Sequence, residues 1–287
     1  MLRLLLVVVA VVVAVPWGAR PAAAIANGAD VPDGAYGFSV LLTMTGLPAE
    51  GGGKRDSSCS GALIAPRWVI TAGHCFRDED GQHVSRTVAE RTTATVGRAD
   101  LRGEEGIEVD VVAVHQAEGT DVALVRLAAD VTGVTPIRNA TVPPEVGETV
   151  RLTGFGLAGD RAVNRLQTGQ FTVEAIGDTL LEASGRAPRP DTSPCPHDSG
   201  GPYFRESGDG TPELVAVVSS GPGCPHPGPD FSARTDTLNN WIADTMTESP
   251  SRWPLILAGV GLAGLIVVWA ARPRSRPRRH AVPALRR

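Results

Sequence analysis

Ser199 lies between Asp198 and the glycine pair Gly200-Gly201 in the run Cys195-Pro196-His197-Asp198-Ser199-Gly200-Gly201-Pro202. Such glycines let a backbone turn tightly and approach a ligand closely, in dihedrals that a Cβ would forbid. The serine therefore reads as an exposed nucleophile on a tight turn. A serine hydroxyl is weak by itself, so the reading needs a base and a third group to orient that base. Both stand upstream. His74 falls in Trp68-Val69-Ile70-Thr71-Ala72-Gly73-His74-Cys75, and Asp121 opens the apolar run that continues through Val122, Ala123, Leu124 and Val125. A buried carboxylate must be hydrogen-bonded or paired, and orienting His74 would meet that need. Together the three residues are equipped for acyl transfer through a covalent intermediate.

With the motifs in the order histidine, aspartate, serine, the chain resembles the chymotrypsin-like (trypsin-fold) serine proteases over about 25–246. The resemblance implies an all-β fold of two six-stranded antiparallel Greek-key barrels with a C-terminal helix. It implies a serine endopeptidase in which Ser199 attacks, His74 shuttles the proton and Asp121 orients His74. The backbone N–H groups of His197 and Ser199 would form the oxyanion hole. Disulfides are implied between Cys59 and Cys75, which would hold the histidine loop, and between Cys195 and Cys224, which would close the specificity pocket. Ile25-Ala26-Asn27-Gly28 is similar to the start of the mature chain in the family, so the α-amino group of Ile25 would pair with Asp198. No cofactor and no metal are implied.

Two positions depart from the family pattern. His197 stands where the family almost always has glycine, and losing an oxyanion-hole donor typically costs about 100- to 1000-fold in rate. Either the loop keeps the hole and His197 leans over the leaving-group side, or the hole forms only when substrate binds. The competing class is a catalytically impaired protease fold serving as a binding module, although such relatives usually lose a triad residue and none is lost here. In the specificity pocket, the resemblance assigns Ser193, Ser219, Gly221 and Asp230. Ser193 occupies the base, where trypsin-like members carry aspartate. Asp230 replaces a pocket-wall glycine and could attract a basic side chain or block the pocket. Ser219-Ser220-Gly221 resembles the edge that takes the substrate backbone as an added strand.

The elements that must carry these residues are mostly β. Residues 38–42, 63–64, 68–70, 95–96, 107–114 and 122–127 are apolar or alternate as strands do, and 46–58 reads as a glycine-rich, charged loop. Pro143 and Pro144 mark the crossover to a second set at 150–156, 170–176, 180–181, 203–204 and 214–219. Leu238, Trp241, Ile242 and Met246 fall at helical spacing. Asp78-Glu79-Asp80-Gly81 lacks the remaining ligands of a calcium loop and reads as a solvated turn. His83 and His115 read as surface residues without partners.

The outer parts of the chain set its compartment. Residues 1–24 combine Arg3, an apolar run and Ala22-Ala23-Ala24, the pattern of a cleaved signal peptide. The protease domain then spans 25–247 and is followed by a linker, 248–254. The stretch 255–271 carries no charge, is bracketed by Trp253 and Trp269, and is followed by arginines in the tail 272–287; this reads as a single membrane span with a cytoplasmic tail. Four cysteines fit an oxidising compartment. The net charge is −4 over 287 residues, with all acidic residues before 252, which argues against nucleic acid as a partner of the main domain. Lys54 is the only lysine among 27 basic residues, the coding bias of a GC-rich, bacterial genome. The expected partners are protein or peptide substrates and the membrane.

Overall fold

The computed structural model describes residues 24–49, 51–158, 161–162, 164–206 and 210–247. The expected leader before Ala24, the linker 248–254, the span 255–271 and the tail 272–287 lie outside the described residues. No helix among the described residues is long and apolar enough to cross a membrane.

Strands β1 (Ser39–Pro48), β2 (Lys54–Ala65), β3 (Trp68–Thr71), β4 (Arg91–Val96), β5 (Ile107–Gln116) and β6 (Ala123–Leu127) close into an antiparallel barrel in the order β1-β2-β3-β6-β5-β4. In β5 the apolar residues Val109, Val111 and Val114 are buried, while Glu108, Asp110 and Val112 face out. That alternation is what the pleat imposes on a strand with one wet face. β6 is nearly all buried, as its unbroken Ala-Leu-Val run requires.

The second barrel repeats the plan. β7 (Thr149–Gly154), β8 (Gln167–Ile176), β9 (Leu180–Ala187), β10 (Pro202–Glu206), β11 (Pro212–Ser220) and β12 (Pro229–Arg234) run in the order β7-β8-β9-β12-β11-β10, and β10 returns to β7. Its core holds Ile25, Val150, Leu152, Phe171, Val173, Leu181 and Tyr203. Each such apolar side chain taken from water contributes about 2 kcal/mol before entropy is set against it. The first barrel's core runs on to Phe204, Leu214, Val217 and Ala233 of the second and to Ile242 of helix α1 (Asn239–Thr247). A buried hydrogen bond between Ser39 Oγ and Thr153 Oγ1, 2.8 Å, also crosses from β1 to β7. The barrels are thus joined by one apolar cluster rather than by a linker alone.

Three expectations change. The expected loop 46–58 is mostly strand, because β1 and β2 stay paired out to Pro48 and Lys54. Backbone hydrogen bonds hold that end, so glycine and charge there do not break it. β12 was hidden in a proline-rich stretch. The helical segment begins as a 3-10 turn, Asp236–Leu238, before α1.

Candidate active site

His74 sits in a 3-10 turn, Gly73–Phe76, directly after β3, and the Cys59–Cys75 disulfide ties that turn to β2. Asp121 precedes β6, the strand paired with β3. The pairing puts the two side chains side by side. Asp121 Oδ1 accepts the His74 backbone N–H at 2.7 Å, and Oδ2 lies 2.7 Å from His74 Nδ1. Ser219 Oγ donates to the same Oδ2 at 2.6 Å. Burial alone would raise the Asp121 carboxyl, but the His74 and Ser219 contacts win and hold it at about 2. A carboxylate only accepts, so Nδ1 carries a hydrogen and Nε2 of the neutral ring keeps a lone pair. Ser199 Oγ lies 2.8 Å from that Nε2.

Ser199 is offered by the turn between β9 and β10, closed by Asp198 N–H to the Cys195 carbonyl, 3.0 Å, and Gly201 N–H to the Asp198 carbonyl, 2.8 Å. Gly200 has φ +81°, and a Cβ there would run into Thr71 and the Ser60 carbonyl, so glycine is required twice over. Ser60, a residue that the sequence did not single out, locks this turn to the first barrel. Its N–H donates to the Ser199 carbonyl at 2.8 Å and its Oγ to the His197 carbonyl at 3.1 Å.

His197 has φ +76°, in the left-handed region. Its Nδ1 accepts the Ser58 N–H at 3.1 Å and lies 2.7 Å from Ser58 Oγ. Because a backbone N–H can only donate, Nδ1 is unprotonated. Burial, helped by the charge of Arg55, pushes this imidazole below its ordinary value. The ring faces a cavity of about 390 Å³ beside Ser199 and His74, lined also by Met44, Leu47 and Arg55. The backbone N–H groups of His197 and Ser199 donate to no protein acceptor among the described residues, which leaves both available to a developing oxyanion.

Asp198 is fully buried and accepts N–H groups from Cys195, 2.9 Å, and Gly156, 2.8 Å. It has no cationic partner among the described residues, and burial pushes its carboxyl up to about 8. Ala24 and Ile25 are also fully buried, and Ala26 pairs with Ser193 through two backbone hydrogen bonds. The start of the domain is therefore anchored against Ser193.

On the other side of Ser199 is a cavity of about 530 Å³ walled by 218–224, the Cys195–Cys224 disulfide and Asp230. Ser219 and Gly221 line it; Ser193, the expected base, is fully buried and is not among its lining residues, its Oγ accepting the His226 N–H at 3.2 Å. Asp230 is buried against His226 at 3.0 Å, a partner that lay unnoticed in the proline-rich loop. His83 is not the partnerless residue expected: its Nε2 lies 4.0 Å from Asp121 Oδ1. His115 packs on Trp68. The carboxylate of Asp78 accepts the N–H groups of Asp80 and Gln82, closing its own turn. Among the described residues no cluster of histidine, cysteine and carboxylate side chains could hold a metal.

Residues 25–242 match the family model described as Trypsin. Serine protease 56 of Mus musculus is 27% identical, over 79% of this chain and 39% of its own length. Chymotrypsin-like elastase family member 3B of Homo sapiens is 27% identical, over 86% of this chain and 99% of its own. Transmembrane protease serine 5 of Homo sapiens is 29% identical, over 81% and 54%. This chain thus spans about two fifths of serine protease 56 and about half of transmembrane protease serine 5. The solved structure of neuropsin, a serine protease expressed in the limbic system of mouse brain, superposes with a TM-score of 0.60 at 22% identity, covering 76% of this chain and 98% of that one. At that identity the likeness is one of fold.

Proposed function

Since this chain belongs to the trypsin family, we propose that it is an extracytoplasmic serine endopeptidase in which His74, Asp121 and Ser199 are the catalytic residues. The reading is carried by the unbroken chain of contacts from Asp121 through His74 to Ser199, with hydrogen-bond distances of 2.7 and 2.8 Å. Ser199 Oγ attacks the scissile carbonyl carbon as its proton passes to His74 Nε2, and Asp121 steadies the imidazolium. The N–H groups of His197 and Ser199 hold the oxyanion. Collapse of the tetrahedral intermediate breaks the C–N bond while His74 returns the proton to the leaving amine, and the ester left on Ser199 is hydrolysed by the same steps with water. Asp230, in the wall of the primary pocket, biases that pocket toward basic side chains when its carboxyl is ionised.

Ile25 and Asp198 form the activating ion pair. Removal of 1–24 after Ala24 gives Ile25 an α-amino group, and Asp198 is a buried carboxyl without a cationic partner among the described residues. The domain 25–247 is held at the membrane by 255–271, a proposal that rests on the sequence of that stretch.

A fluorophosphonate probe, which reacts with an activated serine, tests the catalytic assignment. Labelling should vanish in Ser199→Ala and fall steeply in His74→Ala. A folded, correctly processed protein that stays unlabelled would favour the binding-module reading instead.

A further inference from the structure

The primary pocket holds a buried pair. Asp230, opposite Ala183 in the β9–β12 ladder, lines the cavity beside Ser199 and is 1% exposed. His226 is 7% exposed, with Nε2 3.0 Å from Asp230 Oδ1. The ring is fixed from behind, since its Nδ1 lies 3.3 Å from the Pro227 carbonyl. A carbonyl only accepts, so Nδ1 carries a hydrogen. In a neutral ring, Nε2 is then a bare acceptor, and two acceptors do not close to this distance. The contact requires one proton between Nε2 and Oδ1. With that proton the pair is neutral overall, whichever atom holds it. Without it the pair carries one negative charge, and the ring keeps a single hydrogen that Nε2 can still donate to the carboxylate. Asp230 Oδ2 is buried with no hydrogen-bond partner among the described residues, and Oδ1 lies so near Gly221 that a Cβ there would collide with it. The cavity that Asp230 lines is the space in which a substrate side chain would meet that charge.

We propose that His226 sets specificity by way of Asp230: with the shared proton in place the primary pocket takes uncharged side chains before the scissile bond, and on its loss the pocket takes a cationic one. The inference rests on the peptidase reading above and names the substrate class of that same site. Among the described residues, Asp198 from the turn that carries Ser199 and Tyr203 from β10 are titratable side chains that feel Asp230. β9 presents Ala183, and β11 pairs through Val218 and Ser220. Burial pushes the Asp230 carboxyl up to about 7, against the downward pull of His226. The change of charge therefore falls near neutrality.

Matched peptides differing only in arginine or leucine before the scissile bond give a kcat/KM ratio in which titration of the shared machinery cancels. The ratio should rise about tenfold or more between about pH 6 and about pH 8.5, the scale of a buried charge losing its partner. Asp230→Asn, whose amide cannot ionise, should hold the ratio flat. His226→Gln, whose amide donates to Oδ1 at every pH, should show the arginine preference already at about pH 6. Benzamidine, a flat cation, reports on the pocket without chemistry, and its affinity for the full-length Ser199→Ala protein should climb over the same range. A flat ratio with pH-independent benzamidine binding, or a rise that persists in Asp230→Asn, would overturn the assignment. If no peptide is cleaved while benzamidine binding still rises with pH, the peptidase reading fails and the pocket assignment stands.

Discussion

At His197, backbone and side chain serve different ends. The φ of +76° presents an N–H beside Ser199, and a non-glycine residue there is strained by about 1–2 kcal/mol. The imidazole offsets part of that cost by accepting from Ser58, a hydrogen bond of about 1 kcal/mol. His197→Gly would relieve strain, lose that bond and free the unfolded chain. Stability should therefore change by less than about 1 kcal/mol. Fluorophosphonate labelling should stay within about threefold, because the N–H survives, while cleavage of a library varied after the scissile bond should lose selectivity. A fall in labelling of about 100-fold or more would show that the ring itself takes part in the chemistry. The sequence offered a retained N–H with the ring on the leaving-group side as one of two readings, but not the contact with Ser58, because Ser58 and His197 are 139 residues apart.

The turn that carries Ser199 is an element tied down from three directions: by Ser60 on β2, by the Cys195–Cys224 bridge, and by the buried Asp198 carboxyl. Only the last is electrostatically incomplete. A carboxyl whose folded pKa is raised contributes stability that is fully present below its unfolded value, about 4, and is lost as pH rises through the folded value; for Asp198 that is about 8. A protein carrying Ala-Ala ahead of Ile25 should therefore weaken across that window. In the processed form the α-amino group, of reference value about 8, is raised by its partner, so its contribution is full below the reference and lost only above it. In a Ser199→Ala background, calorimetry should find the melting temperatures of the two forms close at about pH 5 and separating toward about pH 8. An equal gap at both would rule out the ion pair. N-terminal sequencing of the mature protein checks that Ile25 is first.

For the whole molecule, the proposal puts the protease outside and the arginine tail inside. Protease added to intact cells or spheroplasts should digest the domain while a tag after Arg287 survives; loss of both together would overturn the single span. The sequence by itself determined the three motifs, which are written in short local runs around His74, Asp121 and Ser199 and carry the resemblance to the family; the two-barrel plan and the cysteine pairs followed from that resemblance. Strand extents were less legible: at the end of the β1–β2 hairpin and in β12, backbone pairing rather than apolar patterning holds the chain. What only the tertiary structure decided are the contacts between residues remote in sequence or hidden in a loop: Ser60 under the nucleophile turn, Ser219 on Asp121, and Ser58 holding His197. His226, though near Asp230 in sequence, was masked by prolines until β12 turned both side chains into one buried space. Such pairs leave no periodicity behind, because their partners are chosen by the closing of two barrels and not by the order of residues along the chain.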